Sequence, residues 1–471
     1  MNGTADNTRR RQPPRCRYFF SQGGCRFGSE CRFSHERRGE SSMSEAGALP
    51  GGNGALPGGG HAHHFSSREF VHSSGTVASP ACPSNGPLRI SVMSYNVLAD
   101  AYASKHRPEL YTSVPASCLS WQNRVELLAQ EVAHWSPTIV CMQEVDHYAD
   151  LEKKLAVHGY VGRFLQRTNG RPDGLAMFWK ADVFGREPVA AEEVIFAGLN
   201  LRDNVAQVYR LRMAVPPTSG GSSGPPPMEV VVSNIHVLFN PKRGDIKLGQ
   251  VRVLVDRIAR ESRGGAIPVV MCGDWNSAPF SGVYDFLSNG LLDFMERDRR
   301  TVSGQIAGNR ARSVNGSGTG SSTLYKAPKP WKIDEVATAL GDPTLAFDDT
   351  AMPSTAVLSH DLDLTSSYRH VLGSEPQFTT AHDKYIGTVD YIFFSSSASR
   401  SRRRELKGEA EREGEGTAAT AGVGGSKTWH VEPHMVLLPP PSSAVLPQGL
   451  PRGWFGSDHI SLLVSFCCSY K

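Results

Sequence analysis

Apolar residues in this chain form short runs that predict strands, and in two places they recur at helical spacing. The predicted strands are Leu88–Val97, Thr138–Met142, Gly174–Trp179, Glu229–Val237, Ile267–Cys272, Thr388–Phe394 and Ile460–Phe466. Helical spacing predicts helices over Cys118–Trp135, which Pro137 ends, and over Asp245–Ile258. Strands and helices that keep alternating along a chain indicate a layered α/β domain.

Polar stretches interrupt this domain and also precede it. Residues 216–227, 299–323 and 395–426 are rich in Pro, Gly, Ser or charged residues, and we expect surface insertions with little order there. Residues 37–87 have few large apolar side chains and contain two glycine-rich runs. Such a composition buries too little surface to fold, so it predicts a flexible linker and a folded domain over 88–471.

Charge is concentrated near the beginning of the 471-residue chain, although the net charge is only +4. Nine arginines and two acids lie between Arg9 and Arg38. A positive patch of this density favours a polyanion partner, although a solvated basic tail has the same composition. No apolar run approaches the roughly 20 residues that a membrane-spanning helix needs, so we expect no membrane partner.

Cysteine and histidine form one cluster, over residues 15–36, after a polar segment 1–14 that we expect to be disordered. Its spacing is Cys16-x8-Cys25-x5-Cys31-x3-His35, and three thiolates with one imidazole suit a tetrahedral Zn²⁺ ion. The aromatic and basic residues between these ligands include Tyr18, Phe20, Phe27, Phe33, Arg17, Arg26 and Arg32. Such side chains stack on unpaired bases and contact phosphates.

The same spacing resembles the CCCH zinc-finger family, whose members commonly bind single-stranded RNA. A finger that contacts only protein is the alternative. The other cysteines lie in apolar runs or alone, which indicates a reducing compartment rather than a disulfide framework. We expect a cytoplasmic protein, and the basic run Arg402–Arg404 leaves nuclear import open.

Acidic, amide or imidazole side chains stand at the ends of the predicted strands. They are Asn96, Glu144, His236, Asp274, Asn276, Asp390, Asp458 and His459. Each alone fits a surface residue after a strand or a core histidine. Together, at one rim of a sheet, they suit a hard divalent cation and phosphodiester chemistry. Asp274 and Asn276 stand two apart, so on an extended chain we expect them to point the same way.

This ordered set resembles the endonuclease/exonuclease/phosphatase superfamily, from about Leu88 to the C-terminus. Val92–Ala99 and Ile139–Val145 are similar to the carbon catabolite repressor branch, and Leu238–Gln250 and Gly387–Ile392 are most similar to its Angel proteins. The resemblance implies a four-layered α/β sandwich and Mg²⁺-dependent cleavage of phosphate esters.

The resemblance also implies a role for each residue of the set. Glu144 binds one or two Mg²⁺ ions with Asn96 and Asp458, Asp274 and Asn276 activate water, His236 contacts phosphate, and Asp390 pairs with His459. Whether Asp274 or His459 acts as the general base is left open.

Three functions compete at this point. The first is a 3′-to-5′ exoribonuclease that removes poly(A) from mRNA 3′ ends, with the finger binding single-stranded RNA. The second is an Angel-like phosphatase that opens 2′,3′-cyclic phosphates at RNA ends. The third is a non-catalytic RNA-binding protein. The sequence has no leucine-rich repeat, the element by which the yeast-type deadenylase joins its complex, so association with mRNA-decay components stays open.

Overall fold

The computed structural model describes residues 68–73, 77–78, 88–214, 225–295, 297–305, 331–342, 356–395, 427–445 and 449–471. The chain divides into two units, Met1–Gly58 and Gly59–Lys471, and every described residue belongs to the second. The predicted zinc finger, with its ligands Cys16, Cys25, Cys31 and His35, lies outside the described residues.

Two large β-sheets form the centre of the second unit. The strands, numbered in chain order, are β1 Phe70–His72, β2 Val77–Ala78, β3 Arg89–Asn96, β4 Ile139–Val145, β5 Tyr160–Gln166, β6 Gly174–Lys180, β7 Ala190–Ile195, β8 Val205–Arg212, β9 Glu229–His236, β10 Val269–Asp274, β11 Leu291–Asp293, β12 Val357–Ser359, β13 Leu364–Ser366, β14 Thr380–His382, β15 Tyr385–Gly387, β16 Asp390–Ser395, β17 Trp429–Leu437 and β18 Leu462–Tyr470. The first sheet has the order β2-β1-β17-β18-β3-β4-β6-β5 and the second β13-β16-β10-β9-β8-β7.

Ten helices are described along this unit. They are α1 Asp100–Leu110, α2 Ala116–Leu119, α3 Trp121–Trp135, α4 Tyr148–Ala156, α5 Ala181–Phe184, α6 Gly244–Glu261, α7 Gly282–Asn289, α8 Ile333–Leu340, α9 Ser367–Leu372 and α10 Ser442–Val445, with a 3₁₀ turn at Phe196–Leu199. Among the described helices, none combines the length and the apolar character needed to cross a bilayer.

Three buried clusters define four layers. One lies between the sheets and joins β3, β4 and β6 to β8, β9, β10 and β16, for example through Val92, Trp179, Val232 and Phe394. A second packs α3 and α4 on the outer face of the first sheet, and a third packs α6, α7 and α8 on the outer face of the second. The predicted four-layered α/β sandwich is therefore confirmed.

Strand pairing brings the polar strand ends together. β3 and β4 run parallel, with Asn96 opposite Gln143, and β9 and β10 run parallel, with His236 opposite Asp274. β16 is antiparallel to β10, so its first residue, Asp390, also lies opposite Asp274. A hydrogen bond of 3.0 Å from Asn96 Nδ2 in the first sheet to Asp274 Oδ2 in the second brings these residues to the same edge of the sandwich.

The predicted linker is wrong at its C-terminal end, because residues 68–73 and 77–78 belong to the folded domain. Phe70–His72 forms β1, which pairs with β17. Arg68 is buried and donates to Glu131 Oε1 (2.9 Å), Ser461 Oγ (2.8 Å) and the carbonyl of Ser461 (2.6 Å). A short strand and one arginine anchor this segment, and a composition rule for linkers cannot detect them.

The predicted insertions are also too wide at their edges. Residues 299–305, assigned to the second insertion, pack against the domain: the carbonyl of Arg299 accepts from the backbone N–H of Gly244 at 3.2 Å. Ser395, assigned to the third, is the last residue of β16, and residues 225–227 lead directly into β9. The remainder of the three insertions lies outside the described residues.

Candidate active site

Glu144 points into the site because β4 is irregular at that residue. The register between β4 and β6 shifts between Met142 and Val145, and Glu144 has a left-handed φ of 56°. A bulge of this kind redirects one side chain from the face that strand alternation would give it. The glutamate thus turns toward the sheet edge, where its Oε2 accepts from the backbone N–H of Ala99 at 3.2 Å.

Asn96 connects the two sheets at this edge. Its Nδ2 donates to Glu144 Oε1 at 3.1 Å and to Asp274 Oδ2 at 3.0 Å, while its Oδ1 accepts from the backbone N–H of Leu98 at 3.0 Å. One amide therefore fixes two carboxylates that belong to different sheets. Below it, Gln143 Nε2 donates to Asn234 Oδ1 at 2.8 Å, which adds a buried polar link between the sheets.

Asp274 is the centre of the cluster. Its Oδ2 lies 3.5 Å from His236 Nε2 and 3.9 Å from His459 Nε2, and its Oδ1 accepts from the backbone N–H of Asn276 at 2.9 Å. Ligand atoms of Glu144, His236 and Asp274 lie within 4.8 Å of one another, and so do those of Asp274, Asp390 and His459. The two groups share Asp274 and form one continuous site.

Burial raises the pKa of the carboxyl groups of Glu144 and Asp274. It raises the pKa of Glu144 to about 8, with the charges of Asp173 and Asp458 adding to the effect. It raises the pKa of Asp274 to about 7, with a further contribution from Asp390. A carboxylate that is costly to ionise in the protein alone is favourable once a cation compensates its charge, and the cation then displaces the proton.

The two histidines have opposite tendencies. Burial lowers the pKa of His459, but the charge and hydrogen bond of Asp390 at 2.8 Å, with smaller effects of Asp458 and Asp274, outweigh it and raise the pKa well above the ordinary value. Burial lowers the pKa of His236 well below the ordinary value, and the positive charges of Arg167, His459 and Lys247 add to the effect. We therefore describe His459 as an imidazolium and His236 as a neutral imidazole.

Asn276 does not adopt the extended conformation that the sequence predicted. Its φ is 45°, so the chain turns directly after Asp274. Its Nδ2 donates to the carbonyl of Val237 at 2.9 Å, and its Oδ1 accepts from Gln305 Nε2 at 3.4 Å. The Asn276 side chain is thus bonded to its own protein framework, and its backbone N–H is what orients Asp274.

Asp458 lies outside both close groups and is held by Tyr111, the residue that directly follows α1. Its Oδ2 accepts from Tyr111 Oη at 2.8 Å, and its Oδ1 is buried with no hydrogen-bond partner. At the other end of α1, Tyr102 Oη donates to Asp173 Oδ1 at 2.8 Å. Asp458 and Asp173 are the two acids whose charges raise the pKa of Glu144. Tyr111 and Tyr102 therefore orient both of these acids through their hydroxyl groups.

Several residues that surround the site were not identified from the sequence. Asp173 immediately precedes the apolar strand β6, which is the same strand-end signal that marked the other acids. Lys247, Tyr102 and Tyr111 gave no such signal. Lys247 is buried on α6, contacts the carbonyl of Asn276 and donates to Gln305 Oε1 at 2.8 Å, and burial lowers its pKa to about 7.

The donor set fits a hard divalent cation. The carboxylates of Glu144 and Asp274 offer oxygen ligands, and the unpartnered Oδ1 of Asp458 is a buried acceptor that a cation would satisfy. Asn96, which the sequence predicted as a ligand, turns its Nδ2 rather than its Oδ1 toward Glu144 and Asp274 and so orients these carboxylates. Tetrahedral sulfur-rich sites suit other metals. The edge beside Glu144 is therefore a candidate site for a divalent cation.

Removal of the Tyr111 hydroxyl should weaken the cation site without unfolding the protein. In Tyr111→Phe, Asp458 loses the donor that fixes its carboxylate, and we expect Mg²⁺ affinity to fall about tenfold, the usual scale for residues that orient metal ligands. Calorimetric titration with Mg²⁺ measures it. Tyr148→Phe is the matched control, because its hydroxyl bonds the exposed Glu152 at 2.8 Å, away from the site. Equal Mg²⁺ affinity in Tyr111→Phe and wild type would contradict a positioning role.

Sequence profiles match this chain in two places. The profile of the Endonuclease/Exonuclease/phosphatase family matches residues 93–459, and that of the CCCH-type zinc finger matches residues 14–36. The second match confirms the predicted finger. The first covers most of the chain and includes every residue of the described site.

Individual relatives show which members of this family the chain is similar to. The chain is 37% identical over 338 residues to "Carbon catabolite repressor protein 4 homolog 3" of Arabidopsis thaliana, which covers 70% of each protein. It is 31% identical over 408 residues to "Protein angel homolog 2" of Homo sapiens, covering 82% of this chain and 71% of the relative. Among solved structures, that of ANGEL2, described as a 2′,3′-cyclic phosphatase, is 25% identical, with a TM-score of 0.60, covering 85% of this chain and 97% of that one.

Proposed function

The chain belongs to the endonuclease/exonuclease/phosphatase family, in its carbon catabolite repressor and Angel branch, and carries a CCCH zinc finger; from this premise we propose that it is a Mg²⁺-dependent phosphodiesterase acting on RNA 3′ ends. The observation that carries the proposal is the junction at Asp274. One carboxylate there contacts a candidate cation ligand, Glu144, through Asn96 and lies beside two histidines. Hydrolysis of a phosphodiester needs such groups around one phosphate.

The chain's own residues divide the work as follows. Asp274, with a pKa of about 7, is suited to accept the proton of an attacking water at neutral pH. The imidazolium of His459, fixed by Asp390, holds a phosphate oxygen through its Nε2–H, and His236 adds a neutral contact. The Asn96 amide holds the carboxylates of Glu144 and Asp274 in position through its two hydrogen bonds. We assign the general-base role to Asp274 because His459 is already protonated.

Mg²⁺ bound by Glu144 with Asp458, and with Asn96 orienting Glu144, would supply positive charge for the phosphate oxygens and the leaving oxygen. Asn96 ends β3, Glu144 lies on β4 and Asp458 lies in the loop before β18. A structural zinc ion in the finger would be held by Cys16, Cys25, Cys31 and His35, and the finger would bring single-stranded RNA to the domain.

Of the reactions that such a site allows, we propose shortening of mRNA poly(A) tails. Its support is the similarity to the carbon catabolite repressor relative, the highest of the three identities given above. The second candidate, opening of a 2′,3′-cyclic phosphate, is favoured by the similarity to the ANGEL2 structure. Both substrates are phosphodiesters attacked by water, so the same groups at Asp274 serve either reaction.

One assay separates the candidates. We expect the full chain with Mg²⁺ to degrade a 5′-labelled oligonucleotide ending in poly(A) to a ladder of shorter products on a sequencing gel. A matched oligonucleotide ending in a 2′,3′-cyclic phosphate should keep its length and its end. Conversion of the cyclic end without shortening would replace the first candidate by the second. Binding of both RNAs with neither reaction would contradict the proposed enzymatic function.

A further inference from the structure

The exposed aromatic ring of Phe280, in the loop between β10 and α7, is not explained by the site described above. We propose that Phe280 and Arg369 form a subsite on which an unpaired base of the RNA substrate stacks while the end of that strand lies in the active site. The proposal rests on the proposed action on RNA and names a contact that this action would use.

The conformation of Phe280 is costly for the protein. Its φ is 59°, a left-handed value that bulky L-residues rarely adopt and that glycine adopts without strain. Its side chain is also 60% exposed, so burial of the ring gives little in return. A strained residue that the core does not need is a candidate for a functional contact.

Two neighbouring side chains hold the Phe280 ring in place. The Arg369 guanidinium lies 5.1 Å from the ring centroid, and the Tyr284 ring lies 5.6 Å from it. Tyr284 is itself fixed, because its hydroxyl donates to Glu375 Oε1 at 2.6 Å. Phe280 is thus pre-positioned and more than half open to solvent, which limits the entropy lost when a ligand stacks on it.

The location connects this ring to the catalytic edge. Phe280 follows Asn276 by four residues in the loop between β10 and α7, and four residues span at most about 14 Å. Tyr284 also contacts the ring of Tyr391 at a centroid distance of 5.3 Å, and Tyr391 directly follows Asp390. Phe280 therefore lies within reach of a strand whose end is held at Asp274 and Asp390.

The chemistry favours a nucleobase as the occupant. Every base has a π-face that stacks on an exposed phenyl ring, and such contacts do not depend on base identity. Arg369 is exposed and adds positive charge near the phosphate backbone, but Glu375 lies close enough to offset part of it. We therefore expect stacking to contribute more than ion pairing, with a weak dependence of the Phe280 contribution on salt.

The test replaces the ring in the full chain. Phe280→Gly should keep or raise the melting temperature, because glycine relieves the strain at φ 59°. We expect KM for a poly(A) 10-mer to rise about 5- to 100-fold with kcat unchanged, the range of one lost base stack. Turnover of the dinucleotide ApA, which fills only the positions beside the cleaved bond, should change less. Phe280→Trp should restore KM.

Leu291→Gly is the control, since it removes an equally exposed apolar side chain (59%) on β11, outside the two large sheets. An unchanged KM for the 10-mer in Phe280→Gly would overturn the proposal, and so would equal losses with both substrates accompanied by a lower melting temperature. Fluorescence anisotropy of the labelled 10-mer measures RNA affinity without turnover when the Glu144→Ala variant is compared with and without Phe280→Gly. Loss of RNA affinity there supports the subsite even if the wild-type protein cleaves neither RNA, which would refute only the proposed function.

Discussion

Glu144→Ala is expected to lower kcat/KM for RNA by about 1,000-fold or more while the protein stays folded. The glutamate is the side chain around which the cation site is built, and charge stabilisation by a bound metal accounts for several kcal/mol of a phosphoryl-transfer barrier. The fold should persist, because Asn96 keeps its bond to Asp274 and a partly buried acid whose pKa is raised to about 8 is removed. Steady-state kinetics with Mg²⁺ and thermal unfolding without it measure the two effects.

Two further variants sharpen this result. Glu144→Gln keeps the shape and one oxygen but loses the charge, so we expect nearly the same loss of activity. Glu152→Ala removes an exposed glutamate on α4 and should leave kinetics unchanged. Turnover of Glu144→Ala within threefold of wild type at equal Mg²⁺ would remove Glu144 from the site.

Asp274→Asn is expected to lower kcat by about 1,000-fold, because an amide cannot accept the proton of the attacking water, a role worth roughly 10²- to 10⁴-fold. The same change should stabilise the metal-free protein. Burial raises the pKa of Asp274 from 3.8 to about 7, so the folded state binds a proton that the unfolded state releases between these pH values. Stability from this group therefore decreases as pH rises through that window, and it stays low above pH 7.

We accordingly expect the melting temperature of metal-free Asp274→Asn to exceed that of wild type at pH 8 and the difference to vanish near pH 4. Asp182→Asn, on an exposed residue of α5, is the control for loss of one negative charge. A variant that melts below wild type at pH 8, or that retains wild-type kcat, would contradict the assignment of Asp274 as a buried base.

The fold was predictable from the sequence where apolar runs are long and uniform. The strands that became β3, β9 and β10 and the helix that became α3 lie within a few residues of the predicted bounds. β1 was not predictable, because three residues in a Gly- and Ser-rich region carry no periodic signal, and their pairing with β17 is a contact across more than 350 positions. Whether such a short segment becomes a strand depends on the partner strand that the fold brings beside it, not on its own sequence.

The candidate site was predictable as a set of strand ends but not in its geometry. Parallel pairing at Asn96 and at His236 follows from the α/β pattern, and it brings the predicted residues to one edge. The bulge that turns Glu144 inward and the left-handed turn at Asn276 are departures from strand geometry, so alternation rules mispredict them. The clamp of Tyr111 on Asp458 joins residues 347 positions apart, which no local pattern reveals.

The central claim is that the two sheets converge on one divalent cation held at Glu144. Anomalous diffraction from crystals of the protein grown with Mn²⁺ as a substitute for Mg²⁺ tests it most directly. We predict a single strong peak about 2.1 Å from a carboxylate oxygen of Glu144, on the side of Asp458 Oδ1 and Asp274. Mn²⁺ bound only elsewhere in the domain, with Glu144 free of it at saturating concentration, would contradict the account.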